Sequence, residues 1–300
     1  MSNEINSKIL SGKEVAASVY KRLEESIISL SSRGVVPGLA AVLMGSDPAS
    51  EVYVRMKTKR FAKMNLHSET FYIPSDLKEH DIEDLILRLN ENQKYHGILV
   101  QLPLPKRINT DKILAAVSPE KDVDGFHPEN LGRLASGNPR FIPCTPKGIL
   151  EILKHYEIST QGKHIVVVGR SNIVGRPMSL LLGLKNETGN ATVTVCHSRT
   201  PDIGYHTRQA DIIIAAVGVP GLIDADMVSP DTVIIDVGVN RVDDDSEKGY
   251  HLEGDVNYDA VQGIASAVTP VPGGVGPMTI AMLVENTVEA AENSLTNRLK

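Results

Sequence analysis

Apolar residues recur every four positions at Val15, Val19, Leu23 and Ile27, directly behind Ser11-Gly-Lys-Glu14, which has the spacing of a capping box. The pattern predicts a long amphipathic helix ending near Gly34. An unbroken apolar run, Gly38 to Met44 (GLAAVLM), then predicts a short buried strand. Asp47 and Pro48 supply an N-cap and a first-turn proline, and no breaker follows from Ala49 to Leu66, so a second helix is expected there. Thr70 to Ile73 alternates in polarity, Asp81 to Glu91 places Ile82, Leu85, Ile86 and Leu89 on one helical face, and His96 to Leu102 (HGILVQL) reads as another buried strand. A short helix at Thr110 to Val117 completes an alternating α/β segment.

The periodicity stops between Pro119 and Pro146, which predicts a long loop of the kind that carries function. Thr145 and Pro146 offer an N-cap and first-turn proline to a helix through Ile149, Leu150 and Leu153, and the domain boundary is placed there. Lys163 to Val168 (KHIVVV) predicts a buried strand, followed by GRSNIVGRP and a leucine-rich helix to about Leu184. Ala191–Cys196, Asp211–Val217 and Thr232–Val237 are further strands at βαβ spacing, so a second parallel sheet is expected. Asp243 to Lys248 reads as an exposed turn between short strands. After TPVPGGVGPMT, a helix from about Thr279 to Asn297 carries Ala281, Val284, Val288 and Ala291 as its apolar stripe and is expected to pack on the N-terminal domain. The fold class is α/β in two domains: residues 1–146, completed by 279–300, and a Rossmann-like domain at 147–278.

Composition narrows the class of protein. Three hundred residues suit one large or two ordinary domains, and 41% hydrophobic with 23% charged residues is the balance of a globular protein. A net charge of −6 argues against nucleic acid or an anionic membrane as the main partner. The start, MSNEINSK, has no apolar leader region, and no apolar run reaches the roughly 20 residues of a membrane span, so a cytoplasmic protein is expected. Cys144 and Cys196 lack disulfide or metal-site spacing and read as free thiols; no metal is expected.

Candidate chemistry begins on the second helix, where i, i+4 spacing places Tyr53 and Lys57 on one face with Ser50 nearby. A lysine beside a phenol transfers protons if burial lowers its pKa, whereas Arg55, Lys57, Lys59 and Arg60 together also fit an ordinary solvated face. Gln101 ends a strand just before two prolines; it either hydrogen-bonds Lys57 or satisfies loop backbone. Asp122 and Asp124 alternate like metal ligands but lack the further carboxylates of a calcium loop, so one of them is better suited to binding the N–H groups of a heterocycle. Gly169-Arg-Ser-Asn-Ile-Val-Gly175 lies between a strand and a helix, where a dinucleotide pyrophosphate binds, although Ser171 stands where the second glycine of GxGxxG would be. The next strand ends in Cys196-His-Ser-Arg-Thr200 without the acid that receives a ribose 2′-hydroxyl. With Ser198, Arg199 and Arg170 in reach this favours NADP over NAD, the alternative being that Arg199 is only a surface residue. TPVPGGVGPMT is either a rigid loop against a flat ligand or a domain connector.

Taken in order, DPAS..YV..K, GILVQLPLP, KDVDGFH, PCTP.G, VVGRSNIVGRP and TPVPGGVGPMT resemble the bifunctional methylenetetrahydrofolate dehydrogenase/methenyltetrahydrofolate cyclohydrolase family nearly end to end. The resemblance implies two α/β domains with a cleft between them, tetrahydrofolate derivatives as substrates, NADP on the C-terminal domain, and a homodimer. It implies that Lys57 is the proton-transfer group of the hydrolysis, Tyr53 and Ser50 contact the folate, Gln101 tunes Lys57, and Asp124 anchors the pterin, with Pro272 and Gly273 at the substrate. Gly169, Arg170, Ser171, Ser198 and Val239 fall at its cofactor positions. Val239 stands where the family often has isoleucine, and Asn65 where a glycine commonly ends the catalytic helix; neither puts the activities in doubt. No formate-activating ligase domain or ATP chemistry is expected. The rival readings are a monofunctional dehydrogenase, which would lack the lysine, a non-catalytic NADP-sensing module, and a dehydrogenase of hydroxy or amino acids, for which His127 and His197 offer no catalytic pair.

Overall fold

The computed structural model describes residues 7–45, 47–246 and 249–298; residues 1–6 of the MSNEINSK start and Glu247 and Lys248 of the expected turn lie outside the described residues. In chain order come β1 (Lys8–Ile9), α1 (Gly12–Ser32), β2 (Gly38–Met44), α2 (Pro48–Lys63), β3 (His67–Ile73), α3 (Glu79–Glu91), β4 (Gly97–Val100), α4 (Thr110–Ala116) and α5 (Pro128–Ala135). There follow α6 (Cys144–His155), β5 (His164–Val168), α7 (Gly175–Gly183), β6 (Thr192–Cys196), α8 (Ile203–Thr207), β7 (Ile212–Ala215), β8 (Val233–Asp236), β9 (Asn240–Asp243), β10 (Tyr250–Glu253), α9 (Tyr258–Val261), β11 (Ala267–Val268) and α10 (Val275–Arg298).

The chain divides into two units. One takes Ser18–Cys144 with the residues from Ile280 onward, and the other takes the residues up to Ala17 with Thr145–Thr279. In the first unit a parallel sheet runs β3-β2-β4, with Val42 paired to both Phe71 and Val100. All seven residues of β2 are buried, as the middle strand of a sheet covered on both faces requires. Ile82, Ile86 and Leu89 of α3 and Ile113 of α4 pack with Val42, Ile98 and Val100 in a common core. In the second unit a six-stranded parallel sheet runs β1-β11-β8-β7-β5-β6. Antiparallel β9 and β10 pair as a separate two-stranded sheet.

The structure corrects three expectations. The described N-terminal residues, Ser7 to Ala17, belong with the larger sheet, not with the 1–146 segment: Lys8 and Ile9 pair with Ala267 and Val268, and Leu10 is wholly buried. The stretch Pro119–Pro146 is not one loop, because α5 occupies its middle and α6 begins at Cys144. Hydrophobic periodicity misses α5 because its buried residues are Asn130 and Leu134, and its cap is the His127 ring, which accepts from Glu129 N. Finally, α10 starts at Val275, since Pro277 falls in its first turn, where its missing N–H costs nothing.

Candidate active site

Asp47 Oδ2 accepts from Ser50 N at 2.8 Å and Pro48 occupies the first turn, so α2 begins where its sequence caps it. Its inward face carries Val54, Lys57 and Phe61, which are 1%, 7% and 0% exposed, whereas Arg55 and Lys59 face solvent. Lys57 therefore occupies a core position of the helix and is not part of a solvated basic face. Its ammonium donates to Gln101 Oε1 at 3.0 Å, and Gln101 Nε2 in turn donates to Leu102 O at 2.8 Å, which fixes the amide with its oxygen toward the lysine. Burial pushes the Lys57 pKa down, opposed by the nearby charges of Asp124 and Cys144. Ser50 is buried on the same helix; Tyr53 is half-buried, and burial raises its phenol pKa.

The two aspartates of KDVDG are distinguished by their partners. Asp122, 4% exposed, accepts from Phe126 N at 3.2 Å, His127 N at 2.8 Å and Asn130 Nδ2 at 2.8 Å, so its oxygens are spent on holding the loop and the start of α5. Asp124 is half-buried with its charge close to Lys57 and its carboxylate bonded by the Cys144 thiol. Burial pushes its pKa up to about 6, with Lys57 pulling down and Asp122 adding to the rise. Gly125, at φ +76°, turns the chain beneath it, where a Cβ would lie 2.9 Å from Pro143 N. The fully buried Asn286 of α10 donates to Val123 O at 2.8 Å and Ile142 O at 3.0 Å, tying this loop to the segment that precedes Cys144.

In the other unit Gly169 follows β5 at φ +133°, and a Cβ there would overlap Ala216 O. A Cβ on Gly175 would overlap Gly169 O, so the turn into α7 closes only with glycine at both positions. Ser171 Oγ accepts from Val174 N at 3.2 Å and Gly175 N at 3.4 Å, capping α7 while remaining exposed. β6 lies next to β5, and Gly169 N donates to Cys196 O at 2.8 Å, so Arg170 and Ser198 both stand exposed beyond the carboxyl ends of neighbouring strands. Val239, 41% exposed, follows β8 at the same end of the sheet. Pro272 is exposed, and Gly273 adopts φ +118° while its carbonyl accepts from Lys13 N at 3.2 Å.

Of the residues expected at the site, the structure thus gathers Lys57, Gln101 and Asp124, and it places Ser50 and Tyr53 on the Lys57 helix. The glycine loop, Ser198, Val239, Pro272 and Gly273 belong to the other unit. Sequence reasoning assigns no role to Asn130, Asn286, Asp236 or Asp255, which are buried; their hydrogen-bond partners are brought to them by the fold, so no local pattern signals them. Among the described residues no group of three or more His, Cys, Asp or Glu side chains is arranged to hold a metal, and no helix is long and apolar enough to cross a membrane.

These features coincide with a known family. Residues 10–124 match its tetrahydrofolate dehydrogenase/cyclohydrolase catalytic domain, and residues 143–295 its tetrahydrofolate dehydrogenase/cyclohydrolase NAD(P)-binding domain. The bifunctional protein FolD of Halobacterium salinarum is 51% identical over 284 residues, covering 95% of this chain and 96% of that protein. FolD of Exiguobacterium sibiricum is 52% identical, covering 95% and 99%. The crystal structure of the Campylobacter jejuni bifunctional FolD methylenetetrahydrofolate dehydrogenase/cyclohydrolase superposes with a TM-score of 0.90 at 45% identity, over 96% of this chain and 99% of that one. The Trypanosoma brucei enzyme, complexed with NADP cofactor and inhibitor, gives 0.91 at 37% identity, over 97% and 99%. The chain belongs to the tetrahydrofolate dehydrogenase/cyclohydrolase family.

Proposed function

We propose that this chain oxidises 5,10-methylenetetrahydrofolate to the 5,10-methenyl compound with NADP and hydrolyses that product to 10-formyltetrahydrofolate, in one-carbon folate metabolism. The observation that carries the reading is the buried Lys57 hydrogen-bonded to Gln101 beside Asp124. In the hydrolysis, water adds to the methenyl carbon and gives up a proton to the Lys57 amine. As the bond from that carbon to N5 breaks, the adduct's hydroxyl gives up its proton to become the formyl carbonyl on N10 and N5 takes up one proton, so that the hydrolysis releases one proton overall. Burial prepares Lys57 for this role by disfavouring its charge, and Gln101, which is neutral, orients the amine without pinning a proton on it as a carboxylate would. Asp124 accepts from the pterin N–H groups, since it keeps oxygens that Asp122 has already committed. Tyr53 and Ser50 position the folate, with Pro272 and Gly273 as further substrate contacts.

The residues at the carboxyl ends of β5, β6 and β8 fit NADP: a glycine turn whose Cβ space is filled, and Arg170 and Ser198 for a 2′-phosphate in place of the acid that receives a 2′-hydroxyl. When bound, NADP⁺ accepts the hydride leaving the methylene carbon. Oxidation needs little acid–base help because the folate nitrogens stabilise the resulting cation, so the contribution of Gly169, Arg170, Ser171, Ser198 and Val239 is to hold the cofactor in place.

The decisive assay gives the purified protein methylenetetrahydrofolate with NADP⁺ or NAD⁺, then methenyltetrahydrofolate alone. NADP⁺-dependent oxidation and accelerated loss of the methenyl compound are expected. Lys57→Ala should cut hydrolysis by about 10²-fold or more while NADP⁺ still binds, and unaltered hydrolysis would refute the role of Lys57. Oxidation without hydrolysis would point to a monofunctional dehydrogenase, and NADP⁺ binding without turnover to a sensing module. The working form is a cytoplasmic homodimer; sedimentation at micromolar concentration should give twice the chain mass, and a monomer would reject that assembly.

A further inference from the structure

We infer that Asp255, seated on Asp236, is a positioning residue for NADP: its one carboxylate locks together the loops that follow β7 and β8. Asp255 is wholly buried. Its Oδ2 accepts from Val217 N at 2.6 Å and Gly218 N at 2.9 Å, and its Oδ1 from Val219 N at 3.0 Å and Asn240 Nδ2 at 2.9 Å. Three successive main-chain N–H groups converging on one point form a nest of the kind that binds anions. Here the nest is filled by the protein's own carboxylate, so the 217–219 loop is held in one shape and not left open to a phosphate. The fourth donor, Asn240, adjoins Val239, so the same two oxygens fix both loops.

The support beneath is equally complete. Asp236, the last residue of β8, is 3% exposed and accepts from Asp255 N at 2.9 Å, Val256 N at 3.1 Å and Gly238 N at 3.0 Å. Gly238 and Gly254 make room for the pair: a Cβ on Gly238 would overlap the Asp255 carboxylate, and one on Gly254 the Asp236 carboxylate. Burial, with the Asp255 charge adding, pushes Asp236 up to about 7. Two adjacent buried acids are a poor way to make a stable core, because each charge must be desolvated near the other. What they achieve is to fix four main-chain and side-chain groups at the strand ends where a dinucleotide binds in this sheet type, with Ala216 of the same loop pressed against Gly169.

This inference rests on the NADP reading above, and the two activities separate them. For Asp255→Asn, whose amide turns an N–H₂ toward the converging donors, the expectation is a rise of about tenfold or more in the KM and Kd for NADP⁺. The kcat at saturating NADP⁺ should fall much less, and hydrolysis of methenyltetrahydrofolate alone should be unchanged within about twofold. Asn240→Ala, which removes one of the four donors, should raise the KM for NADP⁺ by about threefold with hydrolysis intact. If Asp255→Asn loses both activities because it does not fold, Asn240→Ala decides: no rise in its KM overturns the inference. A parent protein that binds NADP⁺ beside an Asp255→Asn of equal affinity overturns the inference alone. A parent that fails to bind NADP⁺ overturns the cofactor reading and the inference with it.

Discussion

At the scale of single residues, the site depends on two ionisable groups that burial has moved toward neutrality. Lys57 is pushed down and Asp124 is pushed up to about 6, each against the opposite charge of the other. In the proposed role Asp124 accepts from pterin N–H groups, which it does only when ionised, so on that proposal the KM for methylenetetrahydrofolate should rise as the pH falls through about 6. Steady-state KM values from pH 5 to 8 check this, and Asp124→Asn should raise KM throughout and remove the inflection. The same shift acts on stability. The folded chain holds the Asp124 proton more tightly than the unfolded chain, so this group lowers stability progressively from about pH 4 to about pH 6 and no further above that. Asp124→Asn should therefore gain in Tm relative to the parent as the pH rises across that window. Little of this was legible in the spacing of residues. Tyr53 and Lys57 share a face by arithmetic, but that Lys57 points inward between Val54 and Phe61 follows from which face of α2 meets the sheet.

At the scale of elements, α2 shows how local sequence sets the ends of a functional helix. Asp47 caps its start, and Asn65 closes its end at φ +56°, with Leu66 N donating to Phe61 O at 2.9 Å. Asparagine tolerates this left-handed conformation better than residues other than glycine. Asn65→Ala should cost about 1 kcal/mol of stability and Asn65→Gly should be neutral or slightly stabilising, as denaturant melts will show. The start was readable because capping is chemistry between near neighbours in the chain. The end was not, since no breaker stands between Ala49 and Leu66 and only the resemblance pointed to Asn65, whereas α2 closes at Lys63. Nor was the helix α5 readable. It is held by Asp122, Asn130 and the His127 ring, polar groups satisfied by one another within the fold, and apolar periodicity carries no trace of them.

At the scale of the whole molecule, the first described residues serve a sheet whose other strands come from the second half of the chain. Ser7 Oγ donates to Ala265 O at 2.5 Å, Lys8 N to Ser266 O and Leu10 N to Val268 O at 2.9 Å each, and the Leu10 side chain is wholly buried. Leu10→Ala should therefore cost about 2–5 kcal/mol, and hydrogen exchange should show the loss in β11 and β8 and not in the β3-β2-β4 sheet. An exchange pattern confined to the other sheet would contradict the pairing.

By itself the sequence determined the alternation of strands and helices, the two sheets, the glycine turn before α7, the absence of an acid after β6 and the set of motifs that identifies the family. Those features rest on periodicity, capping and short-range spacing, which act along the chain. Only the tertiary structure decided that the N-terminal strand joins the larger sheet, that Asp124 and not Asp122 keeps its oxygens available, that Lys57 is buried, and that Asp255 binds two loops together. Each of these depends on which groups from distant segments meet in a place without water, where an unpaired donor, acceptor or charge is costly and its partner is chosen by proximity in space.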